Sequence, residues 1–414
     1  MKRPAGPVSL PHAAVRAWLA LLGLALLSAN CGAAEGPTET AADVGERLML
    51  SGRYPEAVAA FRKAVAAHPD SAPLHARLAR ALAEDEDLDG AVRAYEKTVA
   101  LAPTDADSRT RLAIIWTRLD RFKEALTMLE AAVELAPDHA WAHDVLGKLH
   151  FREGRYNDAA TAYRRATEAD PDYSEAWFDL GQTLLKQTDL EGAEAAFGKA
   201  VTADSSDARF HDALGFVHYK RRDFQTAAGR LQKAVQLDPL YARAHFNLGN
   251  TYLRLGRRDE GTAELETFRL LNDQERRILS LKNTILKTPE RAGLYHDMAV
   301  IFGQRGEFEK ARRRYIQAVT RDPDFAPAYH NLGNIQLRNR QLREAMGLFR
   351  RALRADSTYV LAYLSLGNAH MVRREPKAAL RIYRRGLSFD ADNARLLERA
   401  AMARAALAAA AGGK

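Results

Sequence analysis

The sequence predicts an all-α fold, a solenoid of stacked helix hairpins closed by a single C-terminal helix. Three observations lead there. The chain repeats itself at one fixed period. Each period carries two apolar stripes at helical spacing, and a helix-breaking residue recurs at one fixed place in the period. Self-similarity at such a period marks architectures in which each unit buries its apolar face only against its neighbours.

The period is carried by the evenly spaced Pro69, Pro103, Pro137 and Pro171, continued by Ser205, Pro239, Pro289, Pro323 and Ser357. With this residue as position 32, ten copies begin at Thr38, Ala72, Ala106, Ala140, Ser174, Ala208, Ala242, Ala292, Ala326 and Val360. Position 7 is a large apolar residue in every copy, from Val44 to Leu366, and position 8 is always Gly or Ala. Positions 4, 7, 8 and 11 fall at i, i+3, i+4 and i+7, the stripe of an amphipathic helix. Positions 20, 24 and 27 form a second stripe: 20 is Ala or Gly throughout, and 24 is Phe, Tyr or Leu. A Gly or polar turn separates the stripes, as in Arg152-Glu153-Gly154-Arg155. The small residues at 8 and 20 let the two helices approach closely, and the proline at 32 ends one hairpin and opens the next.

The seventh copy, Ala242 to Arg291, is longer than the rest, which widens the step from Pro239 to Pro289. Its insertion lacks Gly and Pro and places Leu271, Ile278, Leu281 and Ile285 at helical spacing. The second helix is therefore expected to extend over 269–288, by roughly 24 Å at 1.5 Å per residue. Both a straight and a bent, two-piece helix fit, and a hinge or kink in the stack is expected at Leu271–Thr288. The expected organisation is an export segment at 1–34, seven repeats over 35–291, three over 292–391, and a capping helix and tail over 392–414. The capping helix would set Leu397, Ala400 and Ala401 at positions 4, 7 and 8 of an eleventh first helix, with its other side polar.

This pattern resembles the tetratricopeptide repeat (TPR) family over about residues 38–391. The resemblance implies a right-handed α-solenoid, a superhelix whose first helices line a concave groove that binds peptides and whose second helices mostly face outward.

Met1 to Ala34 has the pattern of an export signal. Lys2, Arg3 and Arg16 precede Ala17–Ala29, an uncharged apolar run followed by small residues. The run is shorter than the about 20 residues that a helix needs to span a bilayer. Cys31, the single cysteine, excludes a disulfide framework and a cysteine metal site. It stands where a bacterial lipoprotein signal holds its lipid-acceptor cysteine, although Ser28 and Asn30 depart from that pattern. Lipidation of Cys31 and ordinary cleavage after Ala33 or Ala34 both remain open. Charge is uneven: residues 292–414 carry 22 Lys and Arg against 11 Asp and Glu, while the mature chain before them is net acidic.

No nucleophile elbow, phosphate loop, zincin helix or paired acid motif is present. The repeat register also accounts for the histidines. His75, His143, His211 and His245 share position 4, and His150, His218 and His370 share position 11, where other copies carry Trp or Tyr. They are expected in the packing stripe, with no metal and no cofactor. The arginine runs at 312–314, 350–351 and 384–385 lie on second helices. They are expected to be a solvated face, with an acidic partner or an anionic membrane as the sharper reading and no nucleic acid.

Positions 2, 5, 6, 9, 12 and 13 lie opposite the packing stripe, and by the resemblance they line the groove. Two ladders occur there. Asn247, Asn250, Asn331, Asn334 and Asn368 occupy positions 6 and 9. An amide both donates and accepts, so such a row can pair with an extended backbone. It is similar to the asparagine ladder in the TPR region of O-GlcNAc transferases, and it equally fits a solvated helix face. Arg118, Arg152, Lys186, Lys220, Arg254 and Arg338 occupy position 13. They would favour acidic segments or simply complement the helix dipole. Trp141, Phe151, Phe178, Phe216, Tyr219 and Phe246 add aromatic surface. Chaperone-binding members of the family use a lysine at position 5 in a carboxylate clamp. No copy here has one, so that activity is not expected.

The expected function is a non-catalytic protein-interaction scaffold of the bacterial envelope, periplasmic or outer-membrane-associated, that binds extended or acidic segments. Membrane contact would come through the N-terminal segment or a Cys31 lipid. One alternative is a lipid-anchored assembly factor for a pilus, secretin or polysaccharide-export machine. Another is a glycan-acting enzyme using the groove, which would need a site that the sequence does not display.

Overall fold

A computed structural model describes residues 40–412. The export segment, Cys31 and most of the linker that follows lie outside the described residues. The described chain forms ten helix hairpins and a final helix, with no strand among the described residues. The early hairpins are α1 (Ala41–Leu50) with α2 (Tyr54–Ala67), α3 (Ala72–Glu84) with α4 (Leu88–Leu101), and α5 (Ala106–Arg118) with α6 (Phe122–Leu135). Next come α7 (Ala140–Arg152) with α8 (Tyr156–Ala169), α9 (Ser174–Lys186) with α10 (Leu190–Ala203), and α11 (Ala208–Lys220) with α12 (Phe224–Leu237). The seventh pairs α13 (Ala242–Arg254) with α14 (Arg258–Lys287). The last three are α15 (Ala292–Gln304) with α16 (Phe308–Arg321), α17 (Ala326–Arg338) with α18 (Leu342–Ala355), and α19 (Val360–Val372) with α20 (Pro376–Leu387). The final helix is α21 (Ala394–Gly412). By packing, the chain divides into two compact units, one ending at Leu149 and the other starting at His150. Within each unit, hairpins stack through contacts of each second helix with the next first helix.

The turn inside every hairpin has one conformation. Position 15 is left-handed in all ten repeats, with φ from 58° at Arg374 to 77° at Gly154. Four repeats use glycine there; Glu86, Asp120, Thr188, Arg222, Arg340 and Arg374 occupy it in the others. The left-handed residue lets the chain reverse in a short turn, and glycine adopts it without the steric cost that a Cβ brings. Position 16 then starts the second helix. Asp87, Asp189 and Asp223 cap it by accepting a hydrogen bond from the backbone N–H of Gly90, Gly192 and Thr226.

Close approach at position 8 is visible directly. A Cβ on Gly181 would lie 2.6 Å from the ring of Phe197, the position-24 residue of the same hairpin. Phe197 itself is fully buried. First helices also bury a second face. Ala244 at position 3 packs with Ala234 at position 27 of the preceding repeat, and Ala362 packs in the same way on Ala352. Positions 4, 8 and 11 therefore serve the hairpin's own second helix, while 3 and 10 serve the repeat before.

Helix α14 continues hydrogen-bonded from Arg258 to Lys287, with Thr288 as its C-cap. At 1.5 Å per residue its 30 residues span about 45 Å. Ile278, Leu281 and Ile285 of the extension join one core with Tyr295, Met298 and Phe302 of α15. Leu270, Leu279 and Leu286 are exposed.

Helix α21 departs from expectation in its register. Leu396, Ala400 and Ala403 are buried, at positions 3, 7 and 10, against Leu380 and Tyr383 of α20. Leu397 is 48% exposed and Ala401 is exposed. Positions 4 and 8 need a second helix to cover them, and among the described residues α21 has none. Its open side is accordingly partly apolar rather than polar.

Candidate functional site

The histidines fall into place first. His75, His143, His211 and His245 at position 4 each point Nε2 at the backbone carbonyl of position 32 in the preceding repeat, at 2.8, 2.8, 3.1 and 3.0 Å. Trp177 Nε1 donates to the Pro171 carbonyl at 2.9 Å, and the hydroxyls of Tyr295 and Tyr363 donate to Pro289 and Ser357. Arg109 does the same to Pro103 at 2.7 Å. Position 4 thus favours a long side chain ending in a donor, which ties each hairpin to the carbonyl before it; His245 in addition turns Nδ1 to Glu264 Oε2 at 2.5 Å. Among the described residues no group of three or more His, Cys, Asp or Glu is placed to hold a metal ion.

The second unit contains a groove cavity of about 630 Å³, lined by α9, α11 and α13 with Leu190 and Phe197 of α10. Its walls come from the predicted groove positions: Gln182 and Phe216 at 9, Lys186 and Lys220 at 13, Arg243 at 2, Phe246 at 5 and Asn247 at 6. Leu185, Leu190, Phe197 and Ala213 make the rest of the surface largely apolar. The Lys220 ammonium lies 5.1 Å from the Phe216 ring centroid, a cation–π contact that holds its charge at the wall. Phe246 is 44% exposed, a large apolar surface open to a ligand.

Beneath this wall is a buried carboxylate. Asp212, fully buried at position 5, accepts from Asn247 Nδ2 at 2.7 Å and from the Arg243 guanidinium at 2.6 Å. Burial pushes its carboxyl above the usual range, and Arg243 opposes that shift. Burial also pushes the nearby Tyr241 hydroxyl up to about 12. Arg243 is thereby electrically matched, and Lys186 and Lys220 supply the net positive charge of the cavity.

A smaller cavity of about 280 Å³ lies between α15–α16 and α17. It gathers Asn331, Asn334 and Arg338 beside Phe308 and Tyr315. Arg338 stacks 3.9 Å over Phe308, and Asn331 donates to His296 Nε2 at 3.2 Å. On the buried side of α17, burial drives His330 down to about 4, so this imidazole is neutral between the Phe349 and Tyr359 rings.

The two cavities bring together Lys186, Lys220, Phe246 and Asn247, and Asn331, Asn334 and Arg338. The other candidates sit elsewhere. Phe178 is only 6% exposed, packed between Phe197 and Phe210, so its ring belongs to the core. Asn250 donates to the Phe246 carbonyl of its own helix, and Asn368 accepts from the Tyr383 hydroxyl. Arg118 reaches Glu86 and the Ala83 carbonyl at the C-terminal end of α3, complementing that helix end. Trp141 lies under the Arg111 guanidinium at 4.9 Å. Arg152 and Arg254 are exposed. Arg243 and Asp212 are absent from the sequence-derived candidates. Their signal is an acid at position 5, where most copies carry an apolar or aromatic residue, followed by an arginine at position 2 of the next repeat.

Three family models, each described as tetratricopeptide repeat, match the chain. One matches at residues 145–208, 296–360 and 331–395, a second at 105–172, and a third at 48–93 and 218–285. No curated protein matches. Among solved structures the chain is similar to YrrB, titled a TPR protein with an unusual peptide-binding site, at 20% identity and a TM-score of 0.40, over 44% of this chain and 93% of that one. It is similar to MamA at 21% identity and a TM-score of 0.37, over 42% of this chain and 94% of that one. A MamA fragment from Desulfovibrio magneticus RS-1 aligns at 22% identity and a TM-score of 0.37, over 41% and 96%. With these models spread along the chain over the ten hairpins described above, the chain belongs to the tetratricopeptide repeat family, whose hairpin stacks serve as protein-interaction scaffolds.

Proposed function

We propose that the chain is a non-catalytic scaffold that binds extended, acid-bearing segments of other proteins in the groove of repeats five to seven. The observation that carries this reading is the cavity of about 630 Å³, with Phe216 and Phe246 as apolar walls and the exposed Lys186 and Lys220 in its lining. An extended segment with an apolar side chain flanked by carboxylates matches it in shape and charge. The apolar contact adds affinity, and the two ammonium groups set register and decide whether an acid-bearing segment binds. The Asp212–Arg243–Asn247 network holds the wall in place.

The setting proposed is the bacterial envelope, periplasmic or at the outer membrane, from the basic start and apolar run of residues 1–34. The position of Cys31 favours a second, narrower version, a lipid-anchored assembly factor for a pilus, secretin or polysaccharide-export machine. Mass spectrometry of the mature N-terminus separates the two. A lipid-modified Cys31 supports the anchored version, and an unmodified start near Glu35 ends it. The groove is tested by cross-linking in envelope fractions with Lys186→Glu/Lys220→Glu as the control. Partners recovered equally by both proteins would end the groove reading.

A further inference from the structure

The outward row of the second helices changes character at repeat nine. Positions 18, 22, 25 and 29 recur every turn on the side of these helices away from the first helices. In repeats one to eight those positions hold nine acids and five bases, the mixed surface of a solvated face. In repeats nine and ten they hold Arg343, Arg350 and Arg354 on α18, and Lys377, Arg381 and Arg384 on α20, with no acid. All six are exposed, and none forms an ion pair among the described residues. Glu344 is the one acid on α18, and α20 has none. Equal register in neighbouring repeats sets both stripes on the same side of the stack. Like charges at this spacing repel one another, so an uncompensated row of this kind is the footprint of an anionic partner.

We propose that this outer face of repeats nine and ten docks on an anionic phospholipid surface. Two observations select a bilayer over an acidic protein segment. The same row carries exposed apolar side chains just before the arginines, Leu270 at position 29 of repeat seven (58% exposed) and Ile316 at position 25 of repeat eight (42% exposed). Apolar side chains beside cations suit the headgroup boundary, where the former insert and the latter meet phosphates. The sequence also holds Cys31 where a lipoprotein signal carries its lipid acceptor, and a single lipid anchor gains stable membrane attachment when a polybasic face provides a second signal. No described helix is long and apolar enough to cross a membrane, so this contact is peripheral. The proposal stands independently of the groove.

The test is flotation of the full chain with vesicles of phosphatidylcholine alone and of phosphatidylcholine with phosphatidylglycerol. The N-terminal segment is the same in every variant, so the change in the ratio of the two partition coefficients from wild type to variant isolates the basic face. Arg381→Ser is expected to lower that ratio about fivefold. Arg350→Ser/Arg354→Ser/Arg381→Ser/Arg384→Ser is expected to abolish it, as is high salt. These exposed side chains carry no packing, so an unchanged circular dichroism spectrum accompanies the loss. A wild-type ratio near one, or a quadruple variant that keeps the wild-type ratio, overturns the proposal. So does capture of soluble polyglutamate without preference for anionic vesicles, which would assign the face to an acidic protein segment.

Discussion

Removing Arg243 and removing the charge of Asp212 break the same ion pair, yet they should not cost the same. Asp212 is fully buried, whereas the Arg243 side chain is half-exposed. Arg243→Ala leaves a buried carboxylate with Asn247 and the Tyr241 hydroxyl as its remaining donors. Stranding one member of a buried pair costs about 3–5 kcal/mol. The lower end, about 3 kcal/mol, applies here because Asn247 still donates and the open groove admits water. Asp212→Asn instead leaves Arg243 free to turn into solvent, and the new amide still accepts from Asn247. Its cost should stay within about 1 kcal/mol. The pH dependence follows from the direction of the shift. Burial already raises the Asp212 carboxyl, and loss of Arg243 raises it further. A carboxyl raised above its unfolded value of about 3.9 contributes stability that is fully present below that value and is lost as pH rises through the folded value. The penalty of Arg243→Ala should therefore be small near pH 4 and complete by neutral pH. Urea unfolding followed by circular dichroism measures the difference. Hydrogen exchange in α11 and α13 localises it, because repeat stacks open locally. Equal costs for the two variants, or an Arg243→Ala penalty that does not change between pH 4 and 7, would refute the buried-carboxylate reasoning.

Two further outcomes follow from the repeat geometry. Thr188→Gly should stabilise the fifth hairpin by about 1 kcal/mol, since Thr188 is β-branched and left-handed at φ 64°; a higher thermal midpoint checks this. Gly181→Val should destabilise by about 3 kcal/mol or more, because its Cβ would meet the Phe197 ring at 2.6 Å between two packed helices. A Gly181→Val protein with the wild-type midpoint would show that the helices separate more cheaply than the packing implies.

The hairpins are legible in the sequence because each depends on short-range spacing. The repeat period, the small position 8 and the large position 24 are local facts, and they return as Gly181 against Phe197. What is not legible belongs to the next repeat. A wheel drawn on α9 places Phe178 opposite the packing stripe, yet Phe210 of α11 covers it. The wheel likewise exposes Asn247, whose amide is spent on Asp212 one repeat earlier. Leu397 falls on a buried stripe by analogy with position 4, and it is exposed because that stripe faces a second helix. The left-handed position 15 is hidden for a similar reason. Six of its ten occupants are not glycine, and the turn is imposed by helices that close on either side of it.

The central claim is that the groove of repeats five to seven selects acid-bearing segments through Lys186 and Lys220. It is tested most directly by titrating the full chain with a labelled peptide that carries one aromatic residue flanked by glutamates, against Lys186→Glu/Lys220→Glu and against Phe246→Ala. Charge reversal is expected to abolish binding, and neither variant is expected to change the circular dichroism spectrum. The Phe246 truncation should weaken binding by about tenfold or more, as expected for an aromatic anchor worth more than about 1.4 kcal/mol. Binding that survives the charge reversal unchanged would contradict it.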